Sequence, residues 1–175
     1  MKKLLIVLLT VLCLTAFAFA DALEIGKKPA ELVLDGKDGG RLDNTPWSSQ
    51  ELEKTAWVVF YVDPDESDLN VAAEDALDAM DYSKKELLTA AVINYKGTNL
   101  PNFAINIALR NKQKKHPGAL YLADKKHVLV EKWGLTDDTY CTLVFDKNGI
   151  LRYRYDGKMD EAEIAKYLKA VKESI

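Results

Sequence analysis

Two continuous apolar runs, separated by one stretch with helical periodicity, constrain the fold of this chain most. Residues 57–62 read Trp-Val-Val-Phe-Tyr-Val, and a second run extends from Leu88 to Asn94. Runs of this kind are typical of strands buried on both faces of a sheet. Between them, apolar residues recur on one side of a predicted helix: Leu69, Ala73, Ala76, Leu77 and Met80. This order predicts a βαβ unit with parallel strands.

The remaining segments extend this unit into an α/β fold with a central mixed sheet flanked by helices. We expect a third buried strand over 119–123, after a helix that stops at Pro117-Gly118, and a terminal helix from Ile164. Strands over 142–145 and 150–155 flank Asn148-Gly149, a pair that favours a hairpin because both residues tolerate positive φ. Nearer the start, we expect a strand over 31–34, a short helix capped by Ser48 or Ser49, and a polar turn region over 35–46.

The first twenty residues have the pattern of a secretory signal peptide. Lys2 and Lys3 precede an apolar run that ends in Ala18-Phe19-Ala20, and small residues two apart are what a signal peptidase accepts. The run has only 17 residues, at the lower limit for a membrane span. Cys13 follows Leu12, where a lipoprotein signal needs a small residue. We expect cleavage after Ala20, a single domain over 21–175, a periplasmic location and no stable membrane insertion afterwards.

The net charge and the cysteine content of the exported part limit the classes of function that are compatible with it. Loss of Lys2 and Lys3 would leave 22 of the 24 basic residues against 27 acidic ones, a net charge of −5. This balance disfavours nucleic-acid binding, which depends on clustered cations. Only Cys141 would remain of the two cysteines, so the domain could form no internal disulfide.

Short motifs along most of the predicted domain resemble the YtfJ family of small periplasmic proteins of Gram-negative bacteria. The matching pieces are Gly26-Lys27-Lys28, Pro46-Trp47-Ser48-Ser49, Val92-Ile93-Asn94, Lys114-Lys115 with Pro117, Lys132-Trp133 and Asp146-Lys147-Asn148-Gly149. The resemblance implies a thioredoxin-like fold, in a peroxiredoxin-like variant with an added strand ending at Asp124, and a periplasmic location. It implies no defined activity.

Three parts of a thioredoxin-like redox site are absent from the positions that this resemblance assigns to them. The turn after the first βαβ strand reads Asp63-Pro64-Asp65-Glu66-Ser67-Asp68, with Asp65 and Asp68 in place of the two cysteines. Carboxylates cannot exchange disulfides. In the peroxidase pattern counted from Pro64, Val71 takes the place of the reactive cysteine. Tyr140-Cys141 stands where the proline facing the site is expected.

The acidic turn and Cys141 are the candidate functional residues that remain. Four carboxylates in six positions could attract a hard cation, but the spacing does not match a calcium-binding loop, and we favour caps of the following helix. Cys141 is either a nucleophile or, as we favour, a buried core thiol that shares a face with Leu143. We interpret His116 as a helix-end cation, and neither it nor His127 forms a metal pair.

Two hypotheses of different classes follow. The first is a non-catalytic module that binds a periplasmic protein or a small ligand near Asp63, Asp65, Asp68, Tyr140 and Cys141, without a metal or other cofactor. The alternative is a thiol- or metal-dependent enzyme that uses Cys141 or the turn from Asp63 to Asp68. The missing redox parts favour the first hypothesis.

Overall fold

The computed structural model describes residues 22–175, so the predicted signal peptide over 1–20, with Cys13, lies outside the described residues. The strands are β1 (Val33–Leu34), β2 (Gly39–Arg41), β3 (Trp47–Ser48), β4 (Ala56–Val62), β5 (Leu87–Asn94), β6 (Leu120–Asp124), β7 (Tyr140–Phe145) and β8 (Leu151–Asp156). The helices are α1 (Val71–Asp78), α2 (Asn102–Lys115), α3 (Val128–Trp133) and α4 (Glu161–Ser174), with short 3-10 turns at Ser49–Leu52 and Pro64–Glu66. No helix in this part of the chain is long and apolar enough to cross a membrane.

The predicted βαβ unit forms the centre of a six-stranded mixed sheet with the order β2-β6-β5-β4-β7-β8. β4 and β5 are parallel, with Val62 opposite Ile93, and β6 adds a second parallel pair on the other side of β5. β7 runs antiparallel to β4 and forms a hairpin with β8. Every residue of β4 is buried, as the apolar run predicts.

Alternation along the strands divides the core between the two faces of the sheet. One face, which we call the helix face, packs against α1, α2 and α4 through residues such as Leu77, Leu109 and Val171. The other, the N-terminal face, packs against α3 and the segment that contains β1 and β3, including the fully buried Trp47 and Trp133. The short β1–β3 ribbon therefore covers the sheet rather than extending it.

The segment over 35–46, predicted to be a polar turn region, contributes an edge strand of the main sheet. β2 pairs antiparallel with β6, with Gly39 opposite Asp124. Gly39 has φ of 138°, and a Cβ on it would lie 1.9 Å from the carbonyl oxygen of Ala123. Only a glycine can approach β6 so closely, which is why this strand lacks the β-branched residues that usually mark one.

Two local features predicted from the sequence, the serine cap and the hairpin at Asn148-Gly149, are present, and the hairpin differs in detail. Ser48 caps the 3-10 turn in a capping box with Glu51, which satisfies free backbone N–H groups. Asn148-Gly149 lies in the β7–β8 connection, but only Gly149 has positive φ, at 73°. The carboxylate of Asp146 accepts the N–H groups of Asn148 and Ile150, so a side chain closes the connection between Phe145 and Leu151.

Candidate functional site

Three buried polar side chains lie in a row where the parallel strands end. Asp63 directly follows β4, while Asn94 and Asp124 are the last residues of β5 and β6. Asn94 and Asp124 are opposite each other in the sheet, and all three residues are 0% exposed. Strand alternation places them on the N-terminal face, two residues beyond Tyr61, Val92 and Leu122. We call this set the strand-end row.

Asp124 is the fully satisfied member of the row. Its Oδ1 accepts the N–H groups of Lys126 and Val128, at 3.1 and 2.9 Å, and its Oδ2 accepts that of Leu129 at 2.9 Å. The hydroxyl of Tyr61 donates to the same Oδ2 at 3.2 Å. Burial, and next the charge of Asp124, raise the pKa of Tyr61 far above its ordinary value, so this hydroxyl stays a donor. The Asp124 carboxylate therefore holds the start of α3 against β4 and β6.

Asn94 links the row to the segment that precedes β7. Its Oδ1 accepts the N–H of Lys96 at 3.2 Å, and its Nδ2 donates to Oδ1 of Asp137 at 2.8 Å. The other oxygen of Asp137 lies 3.5 Å from Nδ1 of His127. His127 has a left-handed backbone, with φ of 61°, and its Nε2 is buried without a hydrogen-bond partner among residues 22–175. A chain of polar contacts thus runs from β5 to the start of α3.

Asp63 is the unsatisfied member of the row. Neither carboxylate oxygen has a hydrogen-bond partner within the described chain. Gly97 passes directly over the group, since a Cβ there would lie 2.3 Å from Cγ of Asp63. Burial raises the pKa of Asp63, the Asn94 amide offsets part of the shift, and the charges of Asp137 and Asp138 add to the rise. The group is therefore a desolvated carboxyl closed under the loop that follows β5.

The exposed acids of the turn do not cap the following helix, and this prediction is wrong. Oδ1 of Asp65 instead accepts the hydroxyl of Thr98 at 3.0 Å, which joins the turn to the loop after β5. Asp68 contacts Ser67, its own neighbour, at 3.5 Å. Asn70 precedes α1 but makes no cap either, because its side chain bonds Gly157 and Met159 near β8. Contacts with distant segments thus engage Asp65 and Asn70 in place of local capping.

Tyr140 and Cys141, expected beside the turn, point to opposite faces of the sheet. The hydroxyl of Tyr140 donates to Oε1 of Glu74 at 2.7 Å on the helix face. Cys141 belongs to the core of the N-terminal face, is 0% exposed and donates its thiol to the carbonyl of Thr136 at 3.4 Å. Burial, and then the charge of Asp156, raise the pKa of Cys141 well above its ordinary value. The interpretation of Cys141 as a buried core thiol is confirmed.

The described residues offer no cluster suited to a metal. Across 22–175, no three His, Cys, Asp or Glu side chains converge in a way that could hold an ion. His116 is the C-terminal cap residue of α2, beyond Lys112, Lys114 and Lys115, so it lies at the end of the helix.

The sequence analysis did not identify four residues at the edge of the sheet where the parallel strands end: Asn94, Asp124, Asp137 and Tyr61. A signal was present, because each of the three apolar runs ends on an Asp or Asn: Asp63, Asn94 and Asp124. Parallel strands bring such endings together at one edge, where sites in open α/β sheets usually lie.

Comparison with known proteins identifies the protein family of this chain. Residues 22–174 match the family described as "Bacterial protein of unknown function (YtfJ_HI0045)". The chain belongs to this YtfJ family. An uncharacterized protein of Haemophilus influenzae is 27% identical over 147 residues, which covers 81% of this chain and 77% of the relative.

Solved structures similar to this YtfJ-family chain share its fold and little of its sequence. A peroxiredoxin-like protein of Aquifex aeolicus gives a TM-score of 0.61 at 12% identity, covering 90% of this chain and 91% of its own. A thiol peroxidase of Chromobacterium violaceum gives 0.62 at 11%, covering 89% and 90%. A pneumococcal exposed lipoprotein thioredoxin of Streptococcus pneumoniae gives 0.55 at 17%, covering 80% and 98%. The thioredoxin-like fold predicted from the sequence is confirmed.

The unpaired carboxyl of Asp63 predicts a specific pH dependence of stability. Because its folded-state pKa is raised, folding favours the protonated form, and the ionised form destabilises the folded state as pH rises through that value. We expect Asp63→Asn, which removes the charge but keeps a buried polar group, to raise the free energy of unfolding at pH 7 by about 1 kcal/mol. This gain should vanish below the ordinary value of 3.8. Urea unfolding at several pH values measures it.

The matched control is Asp68→Asn, which removes an exposed carboxylate from the same turn. It should change the free energy of unfolding by less than about 0.5 kcal/mol at every pH. A loss of stability in Asp63→Asn that is equal at neutral and acidic pH would contradict an unpaired carboxyl.

Proposed function

We propose that this chain is an exported periplasmic protein that binds a partner protein, without catalysis, at the edge where β4 and β5 end. The observation that carries this proposal is the position of exposed apolar side chains. Seven large ones are exposed among residues 22–175, and four lie on the segments that leave this edge: Val71, Leu100, Phe103 and Ile107. Phe103 is 68% exposed and Ile107, one helical turn later, is 58% exposed. Large apolar side chains exposed on the segments that follow two adjacent strands favour a protein interaction.

The polar surroundings of these side chains suit a docking surface. The hydroxyl contact from Thr98 to Asp65 joins the turn after β4 to the loop after β5, so both segments present one surface. Asp65 and Asp68 remain exposed beside it. An apolar centre with a polar rim is the usual arrangement of protein interfaces. We call this surface, made by residues 64–71 and 96–107, the docking edge.

The alternative function, a thiol- or metal-dependent enzyme, finds less support. A catalytic thiol needs access to substrate and a lowered pKa, whereas Cys141 is buried and its pKa is raised. In the acidic turn, Asp63 lies closed beneath Gly97 and Asp65 is engaged by Thr98. Within residues 22–175, no three His, Cys, Asp or Glu side chains form a group that could hold the ion of a metal-dependent reaction.

Redox assays test the non-catalytic part of the proposal. We expect the purified protein neither to reduce insulin disulfides nor to consume hydrogen peroxide above the rate of Cys141→Ser, because the thiol is inaccessible and protonated. Native protein should also resist thiol-specific alkylation, and unfolding in urea should expose one reactive thiol in the exported form. Peroxide turnover that is lost in Cys141→Ser would support the enzyme alternative instead.

Export is tested by amino-terminal sequencing of the protein recovered from a periplasmic fraction. The expected first residue is Asp21, after the Ala18-Phe19-Ala20 site. Recovery of an intact segment 1–20 in the membrane pellet would contradict cleavage and the periplasmic location.

Affinity capture from periplasmic extract tests the docking edge. With the exported protein as bait, we expect Phe103→Ser to lower recovery of its partner about ten-fold, because an exposed aromatic residue at the centre of an interface carries much of the binding energy. Ile25→Ser is the matched control, since Ile25 is 65% exposed but lies on the N-terminal segment. Equal recovery with all three baits would place the partner elsewhere and contradict docking at this edge.

A further inference from the structure

A cleft opens on the helix face between α1 and the segment over 116–121. Two adjoining cavities of about 280 Å³ each form it. They share Leu77 and Asp78 from α1, Thr89 from β5, and His116 and Ala119 from the opposite wall. Val71 lines one end and Lys84 the other. We call this feature the α1 cleft.

The floor of the α1 cleft is an uncovered part of a central strand. β5 lies between β4 and β6, yet Thr89 and Ala91 remain partly exposed on the helix face. Both side chains are small, and α1 has only eight residues and ends at Asp78. The adjacent walls include the apolar side chains of Phe60, Leu77 and Tyr121. The cleft therefore combines a narrow apolar floor with room for a chain segment.

Carboxylates dominate the rim of the cleft. Glu74, Asp75, Asp78 and Asp81 line it, against His116 and Lys84. Within residues 22–175, none of the four acids has an ion-pair partner within 4.0 Å. Lys84 lies against Gly118 and lines only the end away from Val71. Most of the length of the cleft thus presents unpaired negative charge.

Glu74 is the acid that would gain most from a cation. It is partly buried, and its Oε1 accepts the Tyr140 hydroxyl at 2.7 Å, which fixes the carboxyl in place. Burial raises its pKa, and the Tyr140 hydroxyl and the nearby side chains of Lys112 and His116 offset only part of this rise, so the charged form remains less well stabilised than in water. A positively charged group in the cleft would restore this stabilisation.

We infer that the α1 cleft binds an extended segment of the partner protein that carries lysine or arginine side chains. Glu74 and Asp78 are one helical turn apart, about 5–6 Å between Cβ atoms. Alternate residues of an extended strand are separated by a similar distance, at about 3.3–3.4 Å per residue. Cations at alternate positions would therefore meet successive carboxylates, while their methylene stems cover the apolar floor.

This inference deepens the proposed binding function and rests on it. Val71 belongs both to the docking edge and to the lining of the cleft, so one partner can contact both surfaces continuously. The binding chemistry differs between the two, apolar at the edge and electrostatic in the cleft, which allows each to be tested separately.

Titration of the ¹⁵N-labelled protein with the capped peptide Lys-Ala-Lys-Ala-Lys tests the α1 cleft. We expect saturable shifts of the backbone amide signals of Thr89, Ala91 and His116 in NMR spectra, and weaker binding as salt concentration rises. Asp78→Asn should weaken binding about three-fold, and the pair Asp78→Asn with Asp81→Asn about ten-fold. Thr89→Leu, which fills the floor without changing charge, should also weaken it.

Two matched variants separate this inference from the docking edge. Glu161→Gln removes an exposed carboxylate of α4 outside the cleft and should leave peptide affinity unchanged. Phe103→Ser should also leave it unchanged while lowering partner capture about ten-fold. Peptide binding without any effect of Phe103→Ser on capture would support the cleft and contradict the edge.

Three results would overturn the inference. The first is equal binding of the neutral peptide Gln-Ala-Gln-Ala-Gln, because charge would then play no part. The second is signal shifts confined to residues outside the cleft. The third is equally effective competition by 1,5-diaminopentane at matched charge concentration, because isolated ammonium groups and not a protein segment would then account for binding.

Discussion

The carboxylate of Asp124 organises the edge of the sheet on which the rest of this structure depends. It accepts four hydrogen bonds, three from the backbone at the start of α3 and one from Tyr61 of β4. A buried carboxylate without these donors would destabilise the fold strongly, because its charge would be left without solvation. By satisfying it, the chain fixes where β6 ends, where α3 begins and how both meet β4.

Asp63, at the equivalent end of β4, has no such donors, and this difference is informative about function. It occupies the turn where similar folds carry reactive thiols, but here the turn supplies a closed carboxyl and two exposed acids. The thiol that the domain does contain lies in the opposite strand, inside the core. The fold shared with a thiol peroxidase and a thioredoxin therefore does not by itself assign their chemistry to this chain, since activity resides in site residues and not in the scaffold.

One short helix shapes both surfaces that we propose for binding. α1 begins at Val71 on the docking edge and ends at Asp78, where it leaves Thr89 and Ala91 of β5 uncovered. Asp81 follows with a left-handed backbone, φ of 50°, in the connection that leads to β5. The brevity of α1 thus links an apolar edge to an acidic cleft in a single continuous face.

Sequence patterns alone predicted the βαβ unit, the buried strands, a cap at Ser48 or Ser49 and the hairpin near Gly149, because each depends on residues close together in the chain. They did not predict β2, whose pairing depends on the close approach of Gly39 to Ala123. Nor did they predict that Tyr140 and Cys141 face opposite cores, or that Asp63, Asn94 and Asp124 form one row. Strand register and the packing of distant segments decide these features, and periodicity shows that a strand is buried without showing which side chains it meets.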